Sequence, residues 1–175
     1  HTASSYATVP QGALNVRFTA GGTVLSTSTV TTAAGKRYST FVTGTLTPQD
    51  VVSLAFEDVT VPNPAQALVR LLNLSPDAGR LDLIVPVPGL GDYRPSGMQG
   101  LGFRQVSTST STGLNFLAFP PTTGTPYTFR FVQAGGTAEI VSSPDVTLEA
   151  GGIYTMWIGG RLVDNSMRLY TVRHN

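Results

Sequence analysis

The chain has 175 residues, no cysteine, 12% charged residues and a formal net charge of +1. The lack of cysteine excludes disulfide scaffolds, thiolate zinc sites and cysteine nucleophiles, and the balanced charge gives no electrostatic footprint for nucleic acid or an acidic membrane surface. Apolar residues, at 41%, suffice for a core, while no apolar run approaches the roughly 20 residues of a bilayer span.

The chain opens on His1-Thr2-Ala3 and reads as a processed or trimmed product. Leu14, Val16 and Phe18 alternate with Asn15 and Arg17, the period of a strand with one apolar face. Thr47-Pro48-Gln49-Asp50 suits a single helical turn, with Thr47 as N-cap and Pro48 in the first helical position. Val51 to Asp58 alternates like a closing strand, and Thr60-Val61-Pro62-Asn63-Pro64 is a linker stiffened by two prolines. Pro64 to Leu72 contains good helix formers, yet it stops at the turn signal Asn73-Leu74-Ser75-Pro76-Asp77 in a β-rich context, so a strand is expected. The Gly-rich stretch from Gly97 to Gly102 reads as a flexible loop. Tyr127, Phe129 and Phe131 alternate with Thr128 and Arg130. From Ile153 to Ile158, Tyr154, Met156 and Ile158 form the expected buried face, with Trp157 on the other, as Phe41 is earlier in the chain.

An internal repeat organises these elements. Ala34-Gly35-Lys36-Arg37-Tyr38-Ser39-Thr40-Phe41-Val42-Thr43-Gly44 returns as Ala150-Gly151-Gly152-Ile153-Tyr154-Thr155-Met156-Trp157-Ile158-Gly159-Gly160. Upstream, Ala20-Gly21-Gly22-Thr23 matches Ala134-Gly135-Gly136-Thr137, and Tyr6-Ala7-Thr8-Val9-Pro10 matches Phe116-Leu117-Ala118-Phe119-Pro120. Repetition in the same order predicts an all-β fold of two tandem antiparallel β-sandwich modules, residues 1–61 and residues 65–175. Tyr38 and Tyr154 should hold equivalent buried positions. The first module has no counterpart to Ala67 through about Thr110, so it is incomplete at its N-terminus and leaves ladder groups uncovered. Residues before His1, or a strand from another chain, would complete it.

A family resemblance enters at Val69-Arg70-Leu71-Leu72-Asn73-Leu74-Ser75-Pro76-Asp77-Ala78, followed by Leu81-Asp82-Leu83. With Tyr127-Thr128-Phe129 and Val146-Thr147-Leu148-Glu149-Ala150-Gly151, this pattern resembles a bacterial family of exported tandem modules, domain-of-unknown-function family 4397. The resemblance covers the second module end to end and the back of the first. It implies immunoglobulin-like sandwiches on secreted, periplasmic or cell-surface proteins, often in tandem and sometimes beside adhesion-type domains, and it brings no catalytic or ligand residues. The chain departs from the pattern by the insertion Pro86 to Met98, and the first module lacks Ser-Pro-Asp-Ala.

Candidate chemistry is sparse. Ser75-Pro76-Asp77-Ala78-Gly79 reads as a turn in preference to a cation site built on Asp77 and Asp82, because no calcium-loop spacing is present. Asn73-Leu74-Ser75 fits a glycosylation pattern but coincides with the family motif. His1 and His174 lie at the chain ends, and Glu57 and Asp58 point to opposite faces of a strand, so neither a histidine site nor a carboxylate pair is indicated. No cofactor or metal is expected. The possible binding surface comprises Trp157, Tyr93, Arg94 and Phe41, aromatics and an inserted loop suited to contact. These features point to a non-catalytic structural or binding module of an exported protein, with a protein partner or self-association through the sheet edge of the first module. A carbohydrate-binding sandwich is the alternative, and a hydrolase with a site between modules ranks last.

Overall fold

The structure, a computed structural model, describes residues 3–45, 50–87, 91–109 and 114–175. The chain divides into two compact units, His1–Thr60 and Val61–Asn175. Both are built from strands, as the β-branched and aromatic composition requires.

In the first unit, β1 (Gly12–Ala20) pairs antiparallel with β2 (Thr23–Thr32), and β3 (Arg37–Thr43) with β4 (Val52–Asp58). Each pair is a two-stranded sheet. Among the described residues, Val30 is the one buried apolar side chain of this unit.

The second unit is a sandwich of two four-stranded sheets. One has the order β10 (Glu139–Ser142), β9 (Arg130–Gln133), β6 (Leu81–Val87), β7 (Gly91–Tyr93). The other has the order β12 (Arg168–Arg173), β11 (Ile153–Gly159), β5 (Ala67–Asn73), β8 (Leu117–Phe119). Alternate residues meet between the sheets: Ala67, Val69 and Leu71 of β5 and Tyr154, Met156 and Ile158 of β11 share one apolar cluster with Leu81, Leu83, Val85 and Phe131. That is the face the alternation pointed to.

The repeat recurs bond by bond. The Ala33 N–H donates to the Tyr38 hydroxyl, and the Glu149 N–H to the Tyr154 hydroxyl. The Thr45 N–H donates to Asp50 Oδ2, and the Arg161 N–H to Ser166 Oγ. Tyr38 opposes Glu57 as Tyr154 opposes Arg173, the same register 116 positions on. Gly44 (φ +140°) and Gly160 (φ +86°) close both hairpins where a Cβ would lie 2.2 Å from the Asp50 carbonyl oxygen and 2.4 Å from that of Ser166. Only glycine fits such a turn.

Three expectations are corrected. The sheets are not wholly antiparallel, since β5 runs parallel to β11; β5 opens the unit and the chain crosses to the other sheet before β11 returns. Tyr38 is equivalent to Tyr154 but only half-buried, because among the described residues no strand bonds β3 on the edge that β5 takes on β11. The stretch from Gly97 to Gly102 is pinned: Met98 is fully buried, and Leu81 and Leu101 exchange both backbone hydrogen bonds, at 3.0 and 2.8 Å. The strand expected over Leu68 to Leu72 is β5. The helical turn expected at Thr47-Pro48-Gln49 lies outside the described residues. Among the described residues, no helix is long and apolar enough to cross a membrane.

Candidate functional site

The four residues singled out as a binding surface do not converge. Trp157 is only 8% exposed, its indole stacked on Tyr170 at 5.5 Å between centroids, so it offers no face to a ligand. Its neighbours across the ladder explain this, since Trp157 opposes Tyr170 on one side and Leu72 on the other. Phe41 is half-buried against Phe56. Tyr93, on β7, is 55% exposed. Arg94 serves the fold: Nη1 donates to Asp82 Oδ2 at 3.0 Å and Nη2 to the Gly136 carbonyl at 2.6 Å.

The aspartates of the family motif are fully employed as acceptors. Asp82, 7% exposed, receives the Gly100 N–H on Oδ1 at 2.7 Å and the Gly135 N–H on Oδ2 at 2.8 Å, besides Arg94. One carboxylate thus joins β6 to the inserted segment and to the turn after β9. Asp77 accepts the N–H groups of Leu162 and Val163 and the Ser75 hydroxyl. Burial pushes its carboxyl up, but these bonds and the charge of Arg161 outweigh that and hold it below its ordinary value. Asn73 is fully buried, donating to the carbonyls of Gly79 and Leu101 and accepting the Ser75 N–H, so the folded protein shields it from glycosylation. Glu57 and Glu149 pair with Lys36 and Arg173, and Asp145 accepts from Thr128.

A buried arginine stands where the sequence analysis marked no site. Arg70 is 0% exposed on β5. Its Nε donates to Thr155 Oγ1 at 3.2 Å, and its guanidinium lies 4.7 Å from the Phe116 ring centroid. Thr155 Oγ1 lies 2.7 Å from His174 Nε2, and the imidazole meets Phe116 edge-on. His174 is therefore built into the sheet and is not a frayed end. Having one proton, the Thr155 hydroxyl that accepts from Arg70 can donate to His174, which leaves that ring nitrogen as the acceptor.

The first unit carries the corresponding set with different chemistry. By the register of the repeat, Ser39 stands for Thr155, Asp58 for His174 and Tyr6 for Phe116. Asp58 is 1% exposed, and its Oδ2 accepts from Ser39 Oγ and from the Tyr6 hydroxyl, each at 2.7 Å. Arg37, across the ladder from Asp58, lies 5.5 Å from the Tyr6 ring centroid.

The sequence model of one family, described as Domain of unknown function (DUF4397), matches residues 1–84. The match takes in all of the first unit and the second as far as Ile84 in β6. It therefore stops short of the end-to-end coverage of the second module that the motifs implied. No curated protein matches the chain.

Proposed function

Residues 1–84 of this chain belong to DUF4397, a domain of unknown function, and from that premise we propose a non-catalytic structural and binding module of an exported, surface-associated protein, acting in adhesion or assembly. The observation that carries this reading is the first unit. Among the described residues β1 bonds β2 and β3 bonds β4 in separate two-stranded sheets, and no third strand bonds either pair. Exposed strand edges are templates for another strand. The second unit supports the reading differently, because Asp77, Asp82 and Arg94 hold loops in place. The extracytoplasmic setting rests on the resemblance. A carbohydrate-binding role loses its main platform with Trp157 buried.

The test is an activity panel on the full chain with ester, glycoside, phosphoester and peptide substrates. Rates should equal those without protein. Turnover that disappears on substituting a single carboxylate would refute the proposal.

A further inference from the structure

The points where the chain enters β5 and leaves β12 decide how the second unit answers a mechanical load. Both strands are bonded to β11, one on each edge. Leu68, near the start of β5, lies opposite Ile153, and Arg173, at the end of β12, lies opposite Tyr154. The two points are thus two strand spacings apart, about 10 Å, at one end of one sheet. Hydrogen bonds converge there on the first residues of β11. The Leu68 N–H donates to the Gly152 carbonyl and the His174 N–H to the Ile153 carbonyl, each at 2.8 Å. The Ile153 N–H donates to Asn175 Oδ1, and Asn175 Nδ2 donates to the Gly151 carbonyl. Tension between Gln66 and Asn175 runs across the strands, in the direction of the ladder bonds. It reaches the end pairs first, and each pair that breaks passes the load to the next. A pull on the start of β5 against the end of β11 acts differently. These strands are parallel over six pairs, Leu68–Ile153 to Asn73–Ile158, and such a pull shears all of them at once.

We propose that the second unit is a tension-yielding element: loaded through Gln66 and Asn175, it opens strand by strand at low force, although the β5–β11 ladder within it resists shear. The inference goes beyond the reading as a binding module and does not depend on it. β12 peels first. It lies at the edge of its sheet, with Arg168, Thr171 and Arg173 exposed, whereas β5 is buried throughout and bonded by β11 on one side and β8 on the other. The clasp that gates the opening is the set of bonds from His174 and Asn175 to Gly151 and Ile153, backed by the exposed ion pair of Arg173 with Glu149. Once β12 leaves, one edge of β11 is bare and Leu169 is lost from the apolar cluster, so the remaining layer is weaker than the one that yielded. Complete opening releases on the order of 350 Å of chain.

The experiment pulls single molecules of the full chain at constant loading rate. The sequence has no cysteine, so introduced cysteines fix the points of attachment. One protein carries Val61→Cys and a cysteine appended after Asn175. The other carries Val61→Cys and Val163→Cys, the latter in the loop that follows β11, so that β5 is sheared against β11. Val61 and Val163 are 76% and 73% exposed, and the first unit lies outside the load in both proteins. The first protein should open at a force lower by about twofold or more, because forced unfolding follows the unfolding barrier along the direction of pull. Asn175→Ala should lower the opening force of the first protein and leave that of the second unchanged. Equal forces in the two geometries, a lower force in the second, or an opening force of the first protein that Asn175→Ala does not change would each overturn the proposal. Should Val163→Cys disturb folding, Leu162→Cys at the adjacent exposed position applies the same pull.

Discussion

Asp82 should be the most sensitive single position of the second unit outside its apolar core. Replacing it with Ala removes the acceptor for the Gly100 and Gly135 N–H groups and for Arg94 Nη1. A hydrogen bond to a charged group contributes about 1.5 to 3 kcal/mol, and a buried donor left without an acceptor costs about 1 to 3 kcal/mol. The three bonds share one carboxylate, so their losses do not simply add. Arg94 keeps its bond to the Gly136 carbonyl, and Gly100 and Gly135 stand in turns that water can reach on relaxation. The expected loss is therefore about 3 to 4 kcal/mol for Asp82→Ala. Asp82→Asn should lose nearly as much, since an amide nitrogen would face either the Gly100 N–H or the Gly135 N–H and Arg94. Arg94→Met, with that side chain one-third exposed, should cost only about 1 kcal/mol. Urea titration followed by Trp157 fluorescence isolates the relevant transition, because Trp157 is the sole tryptophan and lies in the second unit. A loss below about 1 kcal/mol for Asp82→Ala, or wild-type stability for Asp82→Asn, would show that the carboxylate does not anchor these segments.

Further tests follow from individual contacts. Asp77→Asn should destabilise the second unit by about 1 kcal/mol at neutral pH. Because the folded carboxyl is held below its ordinary 3.8, its contribution is complete above that value and disappears as pH falls through the folded one. The gap in urea midpoint between the two proteins should stay level from neutral pH to about 5 and shrink below about 4, and an unchanged gap in acid would contradict this. Gly160→Ala forces a Cβ to 2.4 Å from the Ser166 carbonyl oxygen at φ +86°, and thermal unfolding should register a loss of about 2 kcal/mol or more. Tyr154→Phe removes the acceptor for the Glu149 N–H at a buried site and should cost about 1 kcal/mol, with Tyr38→Phe costing less at its half-buried twin. Acrylamide should quench Trp157 weakly until the protein unfolds, and a saturable change in its emission on adding oligosaccharides would restore the sugar-binding reading.

The strands and the duplication were legible because both depend on local features. Leu14, Val16 and Phe18 declare their period within five residues, and the Ala-Gly turn three residues before Tyr38 recurs at the same spacing before Tyr154. The unequal burial of those tyrosines was not legible, because it depends on which other strands cover them. Arg70 was missed for a related reason. An arginine between a valine and a leucine on a strand ordinarily faces water, and its burial requires Phe116 and a threonine 85 positions away. Asp82 was readable as part of a motif but not as an anchor, since two of its partners are backbone amides of glycines distant in sequence. Trp157 was expected on the face away from Tyr154, but the stacking of Tyr170 over it is a property of cross-strand register that composition does not carry.

The parallel pairing of β5 with β11 also sets the order in which the protein can be born. Arg70 and Thr155 are 85 residues apart, so β5 emerges from the ribosome long before the strand beside which it belongs. Until β11 arrives, Leu68, Val69, Leu71 and Leu72 lack the neighbouring strand on one edge of β5. Contacts of such long sequence separation require closing a large loop before any reward, which slows folding and lengthens the time that sticky strands are bare. Folding of the second unit then waits for β11, and nascent chains truncated before Ile153 should depend on holdase chaperones.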